Sequence, residues 1–336
     1  MSIDMAEGER LAFLGPSGAG KTTTLKVIAG LEPITSGEVY FKGRFINYLE
    51  PKDRNMAMVF ESYVLYPHLS VFENMASSLK ALKMDPAKIQ ERVGAIAKTL
   101  GIHDYLDRKP RFLSGGQRQR VALGRALAKP ADLFLFDEPI AHLDAKLRYQ
   151  MIGEFKHLGE SLGISLIYVT HDWREAMSLG HRIVVLNNGL VEQCATPVEV
   201  FRRPATAFVA RMVGDPPMNL IPGRITNESQ VSRFQGSGFD LAMKTRLESQ
   251  SVYLGIRPSM FMLSTQSDKD SEAEVYSAGR HGMNIVVTLR ADGVTFKTEL
   301  KETVGFVIGQ KVPIRLDLSG ACLFDESQRL IDVLEE

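Results

Sequence analysis

The chain has 336 residues, and its 40 Lys and Arg residues balance 40 Asp and Glu residues, so its formal net charge is zero. This length predicts two domains, and the neutral balance gives no support to a nucleic-acid partner. The two cysteines and the lack of an apolar run of about 18 residues argue against a disulfide framework and against a membrane span, and they favour a reducing compartment.

The first predicted element is a strand at residues 11–14, an apolar run after an acidic start that is unlike a signal peptide. It leads into the pattern G-x-x-x-x-G-K-S/T, spelled Gly15-Pro16-Ser17-Gly18-Ala19-Gly20-Lys21-Thr22. In this motif the glycines let backbone N–H groups surround a polyphosphate, the lysine reaches the β- and γ-phosphates, and the threonine hydroxyl faces Mg²⁺. A predicted helix at residues 22–31 favours this interpretation over a Gly-rich turn with a surface lysine.

The next informative segment lies at the end of a helix-rich region, residues 62–130, and reads Leu113-Ser114-Gly115-Gly116-Gln117. Ser114 is a typical helix N-cap, and the two glycines leave backbone N–H groups accessible at the start of the helix. The segment therefore predicts a second anion site, in preference to an ordinary capped helix with a solvated arginine face.

A second apolar strand, residues 133–136, ends in Asp137 and Glu138. A continuous apolar run is typical of a parallel strand that is buried on both faces. Asp137 can hold Mg²⁺ through water, and Glu138 can accept a proton from an attacking water. The alternative is a strand that stops at a solvated acidic turn, and the phosphate-binding loop upstream favours the functional interpretation.

Strand and helix signals then alternate: a helix at 146–162, a strand at 165–170, a helix at 172–180 and a strand at 182–186. Alternation of this kind predicts a parallel sheet with crossover helices. Gly214-Asp215-Pro216-Pro217 indicates a domain boundary. Beyond it we predict a small all-β barrel of the OB type, with a hairpin turn at Asp292-Gly293, a polar loop at 266–274, and strands at 252–256, 273–276, 285–289, 295–300 and 311–318.

Four segments, in this order along the chain, resemble the motifs of ABC-type ATPases. Residues 59–71 (VFESYVLYPHLSV) resemble the family's Q-loop, and residues 113–117 resemble its signature motif. Residues 137–144 (DEPIAHLD) resemble its Walker B motif and D-loop, and residues 168–177 (YVTHDWREAM) its switch-histidine segment. Residues 213–219 and 254–258 are similar to the ATPase subunits of bacterial sugar importers of the maltose and multiple-sugar type.

The resemblance covers nearly the whole chain and implies a fold and a function. It implies an α/β P-loop NTPase over residues 1–215, with a helical subdomain at about 62–130, and a small all-β OB-like regulatory domain over residues 216–336. It further implies an ATPase at the cytoplasmic face of the inner membrane that powers import of a sugar, polyol or related small solute. The implied partners are a second ATPase subunit (identical or different), two transmembrane permease subunits and, through the complex, a solute-binding protein.

The resemblance also implies roles for individual residues. Two ATP molecules are expected between two subunits, each touching the P-loop of one subunit and the signature motif of the other. The expected catalytic residues are Glu138, His171 and Lys21, with His171 at the γ-phosphate, and the expected Mg²⁺ ligands are Thr22, Asp137 and Glu61. The expected nucleotide-binding residues are Gly15, Pro16, Ser17, Gly18, Ala19, Gly20, Lys21, Thr22, Thr23, Glu61, Ser114, Gly115, Gly116, Gln117 and Asp144.

The chain departs from the family pattern at three places. Glu61 replaces the Q-loop glutamine, and its carboxylate attracts Mg²⁺ but repels the γ-phosphate. Each of these interactions is worth roughly 4 kcal/mol at about 4 Å and an effective dielectric of 20. Whether the carboxylate favours or opposes the binding of Mg·ATP therefore stays open. The D-loop reads Ala141-His142-Leu143-Asp144 and lacks the usual hydroxyl. The family has edge strands and an adenine-stacking aromatic before the P-loop, whereas no aromatic precedes Phe13 here, so relative to the family we expect an N-terminal truncation and no adenine stacking from that end.

Two alternatives remain open at this stage. The departures would suit a catalytically weakened subunit that pairs with a competent one. A soluble kinase or GTPase is the other alternative, but an N-K-x-D guanine motif is absent and residues 113–117 have no place in those classes. A role in transport predicts a groove near residues 61–67 that receives a short helix from a membrane subunit and that Tyr63, Val64, Tyr66 and Leu69 could line; the alternative for these side chains is ordinary packing.

Overall fold

The computed structural model describes residues 1–141, 143–228, 231–243, 247–263, 269–282, 284–300 and 305–334. Within it the chain divides into two compact units, Met1–Pro197 and Val198–Glu336. The division of function between residues 1–215 and 216–336 stays a prediction. Among the described residues, no helix combines the length and the apolar character needed to cross a bilayer.

The first unit is built on a six-stranded sheet that accompanies a small separate hairpin. Its strands are β1 (Arg10–Leu14), β2 (Tyr40–Phe41), β3 (Arg44–Phe45), β4 (Met56–Val59), β5 (Leu133–Asp137), β6 (Ser165–Thr170), β7 (Arg182–Asn187) and β8 (Leu190–Ala195). The sheet order is β4-β5-β6-β1-β7-β8; the pairs are parallel except that β8 runs antiparallel to β7, and β2 pairs with β3. This topology confirms the predicted α/β fold class, since it places the carboxyl ends of β1, β5 and β6 along one edge.

Helices cover both faces of this sheet. They are α1 (Lys21–Ala29), α2 (Val71–Ala81), α3 (Pro86–Thr99), α4 (Gly115–Ala128), α5 (Ala145–Leu162) and α6 (Trp173–Leu179), with short 3-10 turns at Pro51–Asp53, His103–Tyr105 and Pro110–Phe112. Their starts follow local chemistry: Ser70 and Glu73 form a reciprocal capping box at α2, and Asp85 caps α3 just before Pro86. The helix-rich stretch predicted at 62–130 is therefore present as α2, α3 and α4.

Strand β5 shows how the core is divided between the two faces. Leu133 and Leu135 pack into the cluster under α1, whereas Phe134 and Phe136 pack into the cluster formed with the helices of the opposite face. This follows from the two-residue alternation of side chains along a strand. Each such fully buried side chain contributes roughly 1.5–3 kcal/mol of transfer free energy, so the continuous apolar run anchors the strand whose end carries Asp137.

The second unit contains two antiparallel sheets around a shared apolar core. Its elements are α7 (Pro197–Arg202, which begins at the boundary), α8 (Ala207–Met212), a 3-10 turn at Pro258–Met260, β9 (Asn219–Glu228), β10 (Val231–Gly236), β11 (Phe239–Met243), β12 (Ser251–Ile256), β13 (Phe261–Leu263), β14 (Ser271–His281), β15 (Asn284–Ala291), β16 (Val294–Leu300), β17 (Lys311–Leu316), β18 (Cys322–Phe324) and β19 (Leu330–Val333). The sheet orders are β11-β10-β9-β12-β18-β19 and β13-β17-β14-β15-β16. The predicted small all-β module is confirmed.

Most strand predictions for this unit hold, and one loop prediction is wrong. The five predicted strands fall on β12, β14, β15, β16 and β17, and Asp292-Gly293, with both φ angles positive, turns between β15 and β16. The predicted loop at 266–274 fails from Ser271 onward, since β14 begins there; residues 264–268 lie outside the described residues. Ser271 and Ala273 are buried and Glu274 is exposed, so the alternation of a half-buried strand was mistaken for loop polarity.

Arg257, within the segment 254–258, fastens the two short helices of this unit. Its guanidinium donates hydrogen bonds to the carbonyls of Ala210 and Phe201, at 3.1 and 2.7 Å, and to that of Val213. It also lies 4.1 Å from the centre of the Phe201 ring. Burial lowers the pKa of Arg257 to about 10, which leaves the side chain a cation at neutral pH.

Candidate functional site

The predicted phosphate-binding loop joins β1 to α1, and its glycines occupy positions where another residue would be strained or would clash. Gly18 and Gly20 have φ angles of 82° and 93°, in the left-handed region that glycine adopts without strain. A Cβ on Gly15 would lie 2.4 Å from the backbone oxygen of Leu186, at the end of β7. The loop is thus closely packed against β7 at Gly15, and Gly18 and Gly20 place no side chain beside the backbone at the start of α1.

Lys21 is held inside this loop. Its Nζ donates to the carbonyls of Gly15 and Pro16 at 2.8 and 3.0 Å, and the residue is only 5% exposed. Burial lowers the pKa of Lys21, while the charges of Glu138 and Asp137 act in the opposite direction. The ammonium group is therefore already placed beside the loop that is expected to bind phosphate.

Thr22 and Asp137 meet across the gap between α1 and β5. The Thr22 hydroxyl donates to Asp137 Oδ1 at 2.9 Å, and Asp137 is 4% exposed. Burial raises the pKa of Asp137, and the charges of Glu138 and Glu61 raise it further, whereas Thr22 and Lys21 lower it. The exposed Glu61 is therefore close enough to act electrostatically on this carboxylate.

This donor set fits a magnesium ion. Mg²⁺ prefers oxygen ligands and is usually held by one or two carboxylates together with substrate phosphates rather than by a complete protein cage. The chain offers a hydroxyl and a buried carboxylate in direct contact, with a second carboxylate nearby. Among the described residues, no group of three or more His, Cys, Asp or Glu side chains is arranged so that it could hold a metal ion by itself.

Glu138 and His171 form a contact at the adjacent ends of β5 and β6. Glu138 Oε2 lies 2.8 Å from His171 Nδ1, and the two side chains are 18% and 58% exposed. Glu138 has a positive φ of 45°, and its N–H donates to the carbonyl of Val169 at 3.0 Å. The parallel sheet thus brings together two residues that lie far apart in sequence, because the carboxyl ends of β5 and β6 lie at the same edge of the sheet.

The signature segment has the predicted helix cap. Ser114 Oγ accepts from the N–H of Gln117, whose side chain accepts in turn from the N–H of Ser114. Ser114 and Gly115 are exposed, and a Cβ on Gly116 would lie 2.9 Å from Leu147. Asp144 caps α5 by accepting from the N–H of Leu147 at 2.9 Å. His142 of the D-loop lies outside the described residues.

Three polar residues that the sequence analysis missed connect these segments. Gln119 on α4 is 1% exposed and donates to the carbonyl of Pro139, just after Glu138. Glu175 on α6 is 3% exposed and accepts hydrogen bonds from the hydroxyls of Tyr168 and Thr170. Arg148 on α5 donates to carbonyls of the D-loop. Of these three, only Glu175 had a signal in the sequence, because it is a glutamate next to Ala176 on the buried face of α6.

A groove lies beside the Q-loop, with a volume of about 290 Å³. The predicted side chains Tyr63, Val64 and Tyr66 line it, whereas Leu69 is not among the lining residues. Val64 is 71% exposed, and the Arg125 guanidinium lies 5.5 Å from the centre of the Tyr66 ring. The rest of the lining consists of Met58, Val59, Phe60, Ser62, Ala122 and Arg125.

Known proteins resemble the chain in both sequence and fold. Residues 1–141 match a family profile described as ABC transporter. The chain is 48% identical over 265 residues to the sn-glycerol-3-phosphate import ATP-binding protein UgpC of Paraburkholderia xenovorans, an alignment that covers 77% of this chain and 73% of the relative. It is 40% identical to the trehalose/maltose import ATP-binding protein MalK of Thermococcus litoralis, over 97% of this chain and 93% of that one. A solved dimeric ATP-binding cassette in a post-hydrolysis state with ADP and Pi is 34% identical, with a TM-score of 0.54 over 58% of this chain and 88% of the cassette.

Proposed function

The chain belongs to the ABC transporter family as an ABC-type ATPase subunit, and from this premise we propose that it powers the import of a sugar, polyol or related small solute. The observation that carries the proposal is the pair of Glu138 and His171 at 2.8 Å, on the same sheet edge as Thr22, Asp137 and Lys21. The names of the relatives support two solute classes, a disaccharide and a glycerol phosphate.

ATP binding is the first step of the proposed mechanism. The polyphosphate would lie on the backbone N–H groups of residues 15–23, including Thr23 but not Pro16, which has no N–H, at the positive end of α1. Lys21 would exchange its bonds to the carbonyls of Gly15 and Pro16 for the β- and γ-phosphate oxygens. Thr22 and Asp137, with Glu61 nearby, would hold Mg²⁺, which when bound neutralises charge on the phosphate oxygens.

Glu138 is the proposed general base. Its carboxylate would orient the attacking water and take its proton, a contribution worth roughly 10²–10⁴-fold in rate. His171, which already contacts the carboxylate through Nδ1, would hold it in place and turn its other nitrogen to the γ-phosphate. Closure of the site around the γ-phosphate would exclude bulk water from the reaction.

The helix cap at Ser114, Gly115, Gly116 and Gln117, of which the first two residues are exposed, is proposed to meet the nucleotide of a second ATPase subunit, with Asp144 at the same interface. Donors from a second chain are chemically reasonable because a phosphate with charge on several oxygens needs them from several sides. The groove beside the Q-loop is proposed to receive a short helix from a transmembrane permease subunit. That would hold the chain at the cytoplasmic face of the membrane, where a solute-binding protein joins through the complex.

Two substitutions in the full-length chain test the proposal. Lys21→Ala should weaken ATP binding, with the exposed Lys88→Ala on α3 as the control. Glu138→Gln should leave ATP binding intact and slow hydrolysis by roughly 10²–10⁴-fold, because an amide cannot take the proton. Glu91→Gln on α3 is the matched control.

Equal hydrolysis rates for wild type and Glu138→Gln would exclude Glu138 as the base. A wild-type chain that binds ATP but never hydrolyses it, even with its permease, would favour the weakened-subunit alternative. Uptake of labelled glycerol phosphate against labelled maltose into vesicles that contain the assembled complex then separates the solutes.

A further inference from the structure

Arg148, in the first turn of α5, contacts both the turn that follows Glu138 and the turn that follows His171. Its Nη2 donates to the carbonyls of Ala141 and Leu143 at 3.1 and 3.2 Å. Its Nη1 lies 3.8 Å from Asp172 Oδ2, and its Nε lies 3.8 Å from Glu175 Oε1. One guanidinium thus faces a neutral turn on one side and two carboxylates on the other.

The neutral side of this contact is the turn that begins at Glu138. The N–H of Ala141 donates to the carbonyl of Glu138 at 3.3 Å, so the segment that Arg148 grips is continuous with the proposed base. The carbonyls of Ala141 and Leu143 accept from one nitrogen of the planar guanidinium group. A displacement of that group would therefore displace the backbone that sets the direction of the Glu138 side chain.

The acidic side of the contact is the turn that carries His171. Asp172 follows His171 directly; its N–H donates to Thr170 Oγ1 at 2.9 Å, and its carboxylate caps α6 through the N–H of Arg174. Glu175 is anchored in turn by the hydroxyl of Thr170 at 2.7 Å. The backbone on both sides of His171 is thereby tied to carboxylates that Arg148 faces.

The Nε of Arg148 adds a further observation. It is buried, and within the part of the chain that the structure describes it has no hydrogen-bond partner. The carboxylate oxygen of Glu175 that it faces is 3.8 Å away, about 1 Å beyond a normal charge-assisted hydrogen bond. A small movement of α5 towards α6 would bring Arg148 Nε within hydrogen-bond distance of Glu175, so a shorter separation of these two atoms would be favourable.

We propose that Arg148 is a positioning residue that braces the Glu138 turn against the His171 turn and so sets the distance between the two side chains. The inference rests on the proposed ATPase function of the same site. A lysine could not replace Arg148, because a single ammonium on a flexible stem cannot span carbonyls and carboxylates with a planar fork.

The test compares Arg148→Met and Arg148→Lys with wild type in the full-length chain. Arg92→Met is the control, because Arg92 also donates to a main-chain carbonyl, that of Ala128, but does so in the helical subdomain. We expect kcat to fall on the order of tenfold in both Arg148 variants, which is the size of coupling found between residues of one polar network. The Kd for ATP should change less than about twofold, because Arg148 contacts the turns of Glu138 and His171 and not the phosphate-binding loop. A role in folding alone would lower ATP binding and thermal stability together.

The decisive measurement is a double-mutant cycle with Glu138→Gln, by single-turnover hydrolysis of labelled ATP. If Arg148 acts through Glu138, Arg148→Met should have little further effect once the base is gone. A full and additive loss in that background, an unchanged kcat in Arg148→Met, or rescue by Arg148→Lys would overturn the inference.

Where Arg148→Met does not fold, Arg148→Lys and Asp172→Asn carry the same comparison, and wild-type kcat in both would overturn it. A wild-type chain without hydrolysis would instead count against the proposed function, which keeps the two failures distinct.

Discussion

Removal of the Tyr168 hydroxyl should destabilise the first unit measurably. Tyr168 is 1% exposed, and its hydroxyl donates to Glu175 Oε2 at 2.9 Å. The Tyr168→Phe substitution keeps the ring in its apolar cluster and deletes only this donor. The Glu175 carboxylate then keeps the hydroxyl of Thr170 at 2.7 Å and the more distant Arg148.

The size of the loss follows from the burial of both groups. Hydrogen bonds to charged groups contribute about 1.5–3 kcal/mol, and the remaining donors place this one near about 2 kcal/mol. In a unit that spans Met1–Pro197, each 1 kcal/mol shifts the Tm by roughly 2–4 °C, so we expect a decrease of roughly 4–8 °C.

The loss should also depend on pH. Burial raises the pKa of Glu175 above its ordinary value of 4.5, and the Tyr168 hydrogen bond partly offsets this, so Tyr168→Phe raises the pKa further. A carboxyl whose pKa is raised in the folded state costs stability that develops as the pH rises above its unfolded pKa and is complete above its folded pKa, so wild type and variant differ in this cost fully only above both of their folded pKa values. The difference between wild type and variant should therefore narrow as the pH falls through the raised pKa of Glu175.

Thermal and urea unfolding of the full-length chain measure this difference. Tyr149→Phe on α5 is the matched control, because Tyr149 is 81% exposed and its substitution should change the free energy of unfolding by less than about 0.5 kcal/mol. Equal effects of the two substitutions, or a loss for Tyr168→Phe that is constant with pH, would refute the reasoning.

Three further predictions concern the nucleotide site. Gly15→Ala places a Cβ 2.4 Å from the Leu186 oxygen and should cost about 1–3 kcal/mol of stability and weaken ATP binding, whereas Gly153→Ala on α5 meets no atom within 4 Å; unfolding and ATP titration compare them. Glu61→Gln should raise turnover in the assembled transporter, because a fixed carboxylate repels charge that develops on the phosphate; an unchanged rate would show that the charge is incidental. Because burial raises the pKa of Asp137, the Mg²⁺ concentration for half-maximal hydrolysis should rise as the pH falls toward that pKa, and a flat profile would contradict metal binding there.

Much of the catalytic unit could be predicted from the sequence because its signals are local. A glycine pattern between a strand and a helix defines the phosphate loop, and continuous apolar runs define buried parallel strands. Since such strands end along one edge, the contacts of Thr22 with Asp137 and of Glu138 with His171 follow from topology.

Other features depend on contacts that no local pattern encodes. Arg148 and Gln119 donate hydrogen bonds to main-chain carbonyls of distant turns. Every residue type has the same main-chain carbonyl, so the sequence does not reveal which one accepts. In the second unit, β9 contains Pro222 and Gly223, which argue against a strand when the partner strands are unknown. The order of β9 to β11 therefore emerges only once the sheet is assembled.

The backbone of Glu138 also bears on how the protein tolerates change. A side chain at a φ of 45° is strained by roughly 1–2 kcal/mol relative to the right-handed region, and glycine would remove that strain. The contact with His171, which is 58% exposed, adds no more than about 1 kcal/mol in return. A Glu138→Gly substitution should thus leave the chain as well folded as before while it abolishes turnover. A selection that scores only folded protein would accept that loss, so a library directed at this turn must be screened for turnover as well as for thermostability.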